Sequence, residues 1–451
     1  MLTQALSQWI AGLQAEHIPM EVKRNLRLLS LDTFGCALTG TQQPWTQAIT
    51  QWALAGESAG TARIWGEARP RLRAADAALV NGAAAHAFEV DDFHNAKVHL
   101  GAVILPAVFA LGEALNARPE RIETAIAAGY EVIIRSSLSL TPARARLRGW
   151  HLTSVCGPLG AAAASAVLLG LDPLRTSWAL GLAGTQASGL YAFTADGSDS
   201  KRFHPGRAAH AGVMAAEMAA LGLSGPTQIY EASDGGLLST FTDEPDPDQL
   251  LAHLGEQWHA PQTNFKPYGC CGSAHAHVDA ALALRARWRR GGRVRIGMAY
   301  VIERQCGYAY APGTALNAQM SARYAIAAAL LHGAVLPAQF EPACLGAPEI
   351  VALANAIEIV HDERHDQLYP AHFCGWTEVE TSSGMMERVE FLNPSGSASN
   401  PDRPAAIRAK FAALNAPVLA GANAEALQTA FEHLDQTPLP ALLDLAARPA
   451  Q

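Results

Sequence analysis

Val294-Arg295-Ile296-Gly297-Met298-Ala299-Tyr300-Val301-Ile302 breaks the pattern of everything before it. Val294, Ile296, Met298, Tyr300 and Ile302 alternate with Arg295, Gly297, Ala299 and Val301, a period of two that predicts a strand over 294–302. Upstream, to about residue 265, apolar residues recur at helical spacing. Leu2, Leu6, Trp9, Ile10 and Leu13 share one helical face. Pro19 opens a second helix through Val22, Leu26, Leu29 and Phe34, which ends at Gly40. Further helices are predicted over roughly 74–88, 102–115, 119–137, 157–169, 172–190 and 205–221. Downstream of Asn264 the texture is mixed. A helix runs from about Gly272 to Trp288, then comes the 294–302 strand, then a short strand at Ala356 to Val360. Trp376 to Thr381 and Met385 to Phe391 flank Ser382-Ser383-Gly384 as a hairpin. Asn393 to Pro404 reads as a Pro/Ser/Asn linker, and 404–414, 421–433 and 438–446 as helices again. The expected fold is mainly α. A large all-helical domain (1–265) is followed by a smaller α+β domain (266–400), inserted before C-terminal helices (401–451) that return to the helical domain.

Apolar residues make up 49% of the 451 and charged residues 16%, too apolar a balance for a disordered chain. So much apolar, Ala- and Gly-rich surface favours closely packed helices and predicts a homodimer that covers part of it. The net charge of -8, with no basic run, argues against nucleic acid as a partner. Seven cysteines with no CxxC spacing read as reduced thiols, and no basic-then-apolar leader opens the sequence. Both point to the cytoplasm. The small-residue run Cys156 to Leu171 contains Pro158 and falls short of a membrane span, so no membrane partner is expected.

Four segments concentrate chemistry. His86-Ala87-Phe88-Glu89-Val90-Asp91-Asp92-Phe93-His94, followed by Lys97 and His99, packs three carboxylates and three imidazoles into fourteen residues. A carboxylate beside an imidazole fixes its tautomer and tunes its proton affinity. The competing account is a polar loop with helix caps. No HExxH or comparable spacing is present, so no metal is expected. His151 precedes a helix of small residues. Lys201 and Arg202 precede His204-Pro205-Gly206, and Pro205 in the first turn of a helix places both cations just outside its N-terminus, a seat for a carboxylate. Neither GxxxxGK[ST] nor a strand-borne GxGxxG occurs, so no nucleotide cofactor is expected. Lys266-Pro267-Tyr268-Gly269-Cys270-Cys271 leads into a helix on which Cys271, His275, Val278 and Leu282 share a face, with Asp279 placed to orient His275.

In this order, and with Leu31-Asp32-Thr33-Phe34-Gly35, Asn81-Gly82, Cys156-Gly157-Pro158, Ser321 and Tyr324, the chain resembles the MmgE/PrpD family along nearly its whole length. That family includes 2-methylcitrate dehydratase, cis-aconitate decarboxylase and an iminodisuccinate epimerase. The resemblance implies a helical domain plus an α+β domain, no cofactor, a homodimer and a small polycarboxylate substrate. It implies a pocket holding Glu89, Asp92, His99, His151, Lys201, His275 and Tyr324. Glu89 stands where the decarboxylase-like pattern has Asp, and Phe93 where it has Thr, which alters pocket shape.

Breaking a C–H bond beside a carboxylate creates concentrated negative charge, so cations and a positioned base are needed. The expected catalytic set is His99, tuned by Asp92, with His151, Lys201 and His275. Glu89, Phe93, His94, Arg202 and Tyr324 are expected to bind substrate. Three functions fit these residues: a lyase that dehydrates or decarboxylates, an epimerase with two bases on opposite faces of one carbon, and a polycarboxylate-binding protein without catalysis.

Overall fold

The computed structural model describes residues 1–56, 60–67 and 71–447. The fold is mainly α, as the helical periodicity predicts, with one four-stranded sheet. Side chains gather into two hydrophobic cores. The first is built by the helices from Leu2 to Ala220 and includes Phe34, Trp65, Phe109 and Ile133. The C-terminal helices Arg403–Asn415, Gly421–Glu432 and Leu439–Ala446 return to it with Phe411, Phe431 and Leu442. The second core lies between the helices His275–Leu284 and Ala322–His332 and the sheet.

Alanine and glycine let the helices of the first core approach closely. Helices Ala74–Ala85 and Ser200–Ala220 meet at Gly82 and Gly206, where a Cβ on Gly206 would lie 2.2 Å from the Leu79 carbonyl oxygen. This crossing carries Lys201, five residues before Gly206, to His86, four residues after Gly82. Helix Leu152–Leu169 is apolar and long enough to cross a bilayer, but 94% of it is buried among other helices, so it is a core helix.

The sheet order is Glu358–His361, Val294–Met298, Gly375–Glu380, Met386–Phe391, the first pair parallel and the others antiparallel. Gly297 faces Trp376, whose ring would stand 2.0 Å from any Cβ there. The predicted hairpin forms. The strand predicted over 294–302 stops at Met298, and Tyr300–Cys306 is a helix. Asp366 Oδ1 accepts the Tyr300 N–H at 2.7 Å, and Ile302 and Cys306, four apart, are the buried face. The alternation at 300 and 302 is thus also compatible with a helix. Helix Ser200–Ala220 begins five residues before Pro205, so Lys201 and Arg202 lie in its first turn rather than outside it. Pro205 is tolerated because only the Lys201 carbonyl loses its donor.

Candidate active site

A small cavity of about 50 Å³ lies where the two cores meet. Its walls include Glu89, Phe93, His94, Lys97 and His99 from one loop, His151 from the N-cap of helix Leu152–Leu169, Lys201, and Lys266 and Cys271 from the second core's approach. The loop between helices Ala74–Ala85 and Gly101–Ala114 is pinned at several points. Phe93 and Asn264 exchange backbone hydrogen bonds at 3.0 and 2.8 Å, and the Gln319 amide donates to the Phe88 carbonyl at 2.9 Å. Such anchoring holds Glu89 (φ 60°) and Lys97 (φ 62°) in left-handed backbone, a conformation that costs a non-glycine residue on the order of 1–3 kcal/mol.

Hydrogen-bond chemistry fixes the His99 tautomer, and His86 sits beside it in a polar ring: its Nε2 stands 2.8 Å from Lys201 Nζ and 3.0 Å from Glu89 Oε1, and its Nδ1 2.9 Å from Asp91. His99 Nδ1 lies 3.0 Å from Asp91 Oδ2 and 3.1 Å from the Asp92 carbonyl, both acceptors. The proton therefore sits on Nδ1, and Nε2 keeps its lone pair with no protein partner among the described residues. Burial pushes His99 down to about 3 against the pull of Asp91, so the ring is neutral near pH 7. His151 Nδ1 pairs with His204 Nδ1 at 2.8 Å, and burial, then His204 and Lys201, hold His151 below its ordinary range.

The charges are arranged around Glu89. Its carboxylate takes Lys201 on one oxygen and Lys266, at 2.9 Å, on the other. Burial opposes ionisation of Glu89, but the two lysines outweigh it and hold it well below the usual carboxylate range. Asp91 is likewise held low, its burial outweighed by His86 and His99.

Several expectations are corrected. Asp91, not Asp92, orients His99. The Asp92 carboxylate instead accepts from the Gly101 N–H and the Tyr130 hydroxyl, each at 2.7 Å, anchoring the start of helix Gly101–Ala114. His275 does not line the cavity. Its Nε2 faces the Cys270 carbonyl at 3.2 Å, and Asp279, expected to orient it, takes the Tyr268 hydroxyl at 2.6 Å. From this segment Lys266, Cys271, Gly272 and Ser273 reach the cavity wall, Gly272 kept bare by the Phe93 ring, 2.9 Å from any Cβ. Arg202 is spent on the Ala87 carbonyl, Gln319, Asp199 and the face of Trp45. Tyr324 is buried in the second core and donates to the Gln339 carbonyl at 2.6 Å. Glu89, Phe93, His94, His99, His151 and Lys201 do share the cavity. Sequence reasoning left out Asp91, Lys97, Arg146, Lys266 and Cys271 as site residues. Lys266 and Asp91 lay inside motifs already singled out, whereas nothing near Arg146 marks it.

His86, Asp91 and His99 place one ligand atom each within 4.8 Å of one another. A cation there would displace the hydrogen bonds that satisfy all three and would stand beside the Lys201 ammonium, so the group fits a proton-positioning role better than a metal.

His94, His99 and His275 are each pushed to about 3, by burial first. Unfolding returns them to about 6.5. The unfolded chain then binds more protons between these values, so the stability from neutral rings is complete above about pH 6.5 and is lost as pH falls towards 3. Urea midpoints at pH 7.5, 6 and 5 are expected to fall steadily, and a midpoint unchanged down to pH 5 would contradict these assignments.

The chain belongs to the MmgE/PrpD family of enzymes: residues 4–249 match the MmgE/PrpD N-terminal domain and 268–436 the MmgE/PrpD C-terminal domain. Among curated proteins it is similar to a cis-aconitate decarboxylase-like protein of Aspergillus oryzae, 31% identical over 83% of this chain and 82% of the relative. It is also similar to the cis-aconitate decarboxylase of Aspergillus terreus, 31% identical over 86% of this chain and 84% of that protein. The cis-aconitate decarboxylase of Mus musculus is 27% identical over 96% of this chain and 91% of its own length.

Proposed function

We propose that this chain is a cofactor-independent lyase, of dehydratase or decarboxylase type, that moves a proton at a carbon beside a carboxylate in a small di- or tricarboxylic acid. One arrangement carries the reading: His99, its Nδ1 tied to Asp91 and its Nε2 unpartnered, faces the same cavity as two lysines locked on one carboxylate. The His99 Nε2 lone pair takes the proton, and Asp91 stabilises the imidazolium that forms. The electron pair left on carbon spreads into the neighbouring carboxylate, where the Lys201 and Lys266 ammonium groups offset the added charge. In a dehydration that pair then expels the hydroxyl, which leaves as water with the proton His99 has taken. In a decarboxylation no C–H bond breaks: the pair comes from the carbon–carboxylate bond as carbon dioxide leaves, and the carbon takes a proton that His99 relays from solvent. The relatives named cis-aconitate decarboxylase support the lyase class.

A second reading, an epimerase, rests on Cys271. His99 comes from the first core's side and Cys271 from the second core, so two titratable groups reach the cavity from different walls. A panel of di- and tricarboxylates followed by NMR in heavy water separates the two. A lyase changes the carbon skeleton or its saturation. Deuterium entry with stereochemical scrambling and no new skeleton establishes the epimerase instead. Binding with neither turnover nor exchange leaves a polycarboxylate-binding protein. Because the proton chemistry is assigned to side chains alone, dialysis against a chelator is expected to leave turnover intact. Activity that returns only on adding zinc, iron or magnesium overturns that part.

A further inference from the structure

Two cations in the cavity wall have no carboxylate partner among the described residues. Lys201 and Lys266, 2% and 1% exposed, are already committed to Glu89. Arg146 is not committed. Its guanidinium stacks 3.4 Å above the Tyr191 ring centroid, and its Nε is buried without an acceptor. Arg146 and Tyr191 also line the open depression beside the cavity, which places them at its mouth. Lys97 reaches the same cavity from a left-handed backbone (φ 62°); its ammonium donates to the neutral Gln305 oxygen at 2.6 Å and lies 4.9 Å from the Tyr369 ring centroid, with no carboxylate on it among the described residues. Burial, and next the nearby Arg146, push Lys97 down to about 7 against the pull of the Cys271 and Cys306 thiols.

Unpaired cations, one with an unsatisfied buried donor, are costly unless a ligand completes them. Backbone strain at Lys97 in the cavity wall is of the kind retained where function demands it. We propose that Arg146 and Lys97 form a second anion seat at the cavity mouth that takes the substrate's distal carboxylate and so determines specificity. This rests on the polycarboxylate reading above. The inner lysines and His99 then act on the near end of the molecule, while the mouth measures whether a further carboxylate lies at the far end. A planar guanidinium held flat on an aromatic face suits a carboxylate edge-on, with two parallel N–H donors.

The test uses two unreactive probes that differ by one terminal carboxylate, tricarballylate and methylsuccinate, with binding measured by calorimetry. Arg146→Gln is expected to weaken tricarballylate by about tenfold to a hundredfold, and methylsuccinate by less than about threefold. Lys97→Met is expected to show the same selectivity, and Arg146→Lys to recover part of the loss. Circular dichroism and melting curves establish that each variant is folded. Equal losses for both probes, or no loss for tricarballylate, overturn the seat while leaving the lyase reading standing. A wild-type protein that binds neither probe overturns the seat and the polycarboxylate reading together. Because the probes do not react, failure to find turnover leaves the binding result decisive.

Discussion

Replacing His99 with alanine is expected to lower kcat by about 100- to 10,000-fold with little change in KM, the signature of a group that acts in the transition state rather than in binding. The expectation follows from what the ring does in the fold. Its Nδ1 is held by Asp91 and its Nε2 has no protein partner, so the side chain carries little of the architecture and much of the proton transfer. Asp91→Asn is the companion variant. An amide can present its NH2 group to Nδ1, forcing the opposite tautomer and turning Nε2 from acceptor to donor. It should therefore lose kcat as well, although Asp91 itself does not line the cavity. Steady-state kinetics on the substrate found by NMR checks both. A His99→Ala enzyme with full turnover removes His99 from the mechanism.

Lys201→Ala is expected to damage the protein more broadly than an exposed anion seat would allow. Its ammonium bonds Glu89 and His86 in a fully buried cluster, so its removal leaves Glu89 with Lys266 as its one lysine and the His86 ring 3.0 Å away. Removing one partner of a buried ion pair costs about 3–5 kcal/mol. Loss of a charged contact to the substrate adds a KM increase of about ten- to a hundredfold. Lys201→Met combined with Glu89→Gln removes both charges and should recover most of the stability but not the activity. Urea unfolding monitored by circular dichroism separates these effects. A Lys201→Ala variant as stable as wild type would mean that Glu89 is not ionised in the folded protein.

Periodicity carried the architecture well because helix faces and the hairpin are local signals. Arg403–Asn415, Gly421–Glu432 and Leu439–Ala446 fall within a residue of the predicted spans. The overrun at 294–302 arose where Ile302 satisfies either period, and the choice was made by Asp366, distant in sequence. The site was legible where motif and contact coincide, as for Glu89, His99, His151 and Lys201. It failed where neighbours in sequence had to be told apart by direction. Asp91 and Asp92 are adjacent, yet one faces His99 and the other Tyr130. Cys271 and His275 lie one turn apart, and a 3-10 turn at Gly272–Ala274 separates them, so only the cysteine reaches the cavity. Arg146 is defined by contacts with Tyr191 that spacing along the chain does not encode.

The return of the last helices to the first core has a consequence for how the molecule is made. Phe431 packs on Phe34 at 5.4 Å and stacks on Phe109 at 6.2 Å between ring centroids, and Phe411 fills the space over Gly35. During synthesis on the ribosome, the helices emitted first must therefore wait for the last ones before their aromatic cluster closes. The second core and its sheet, drawn from residues 268–391 apart from Tyr191 and Phe193, are free to consolidate earlier. Nascent chains arrested before these helices would leave the ring faces of Phe34 and Phe109 short of their Phe431 partner, a surface for chaperones to hold.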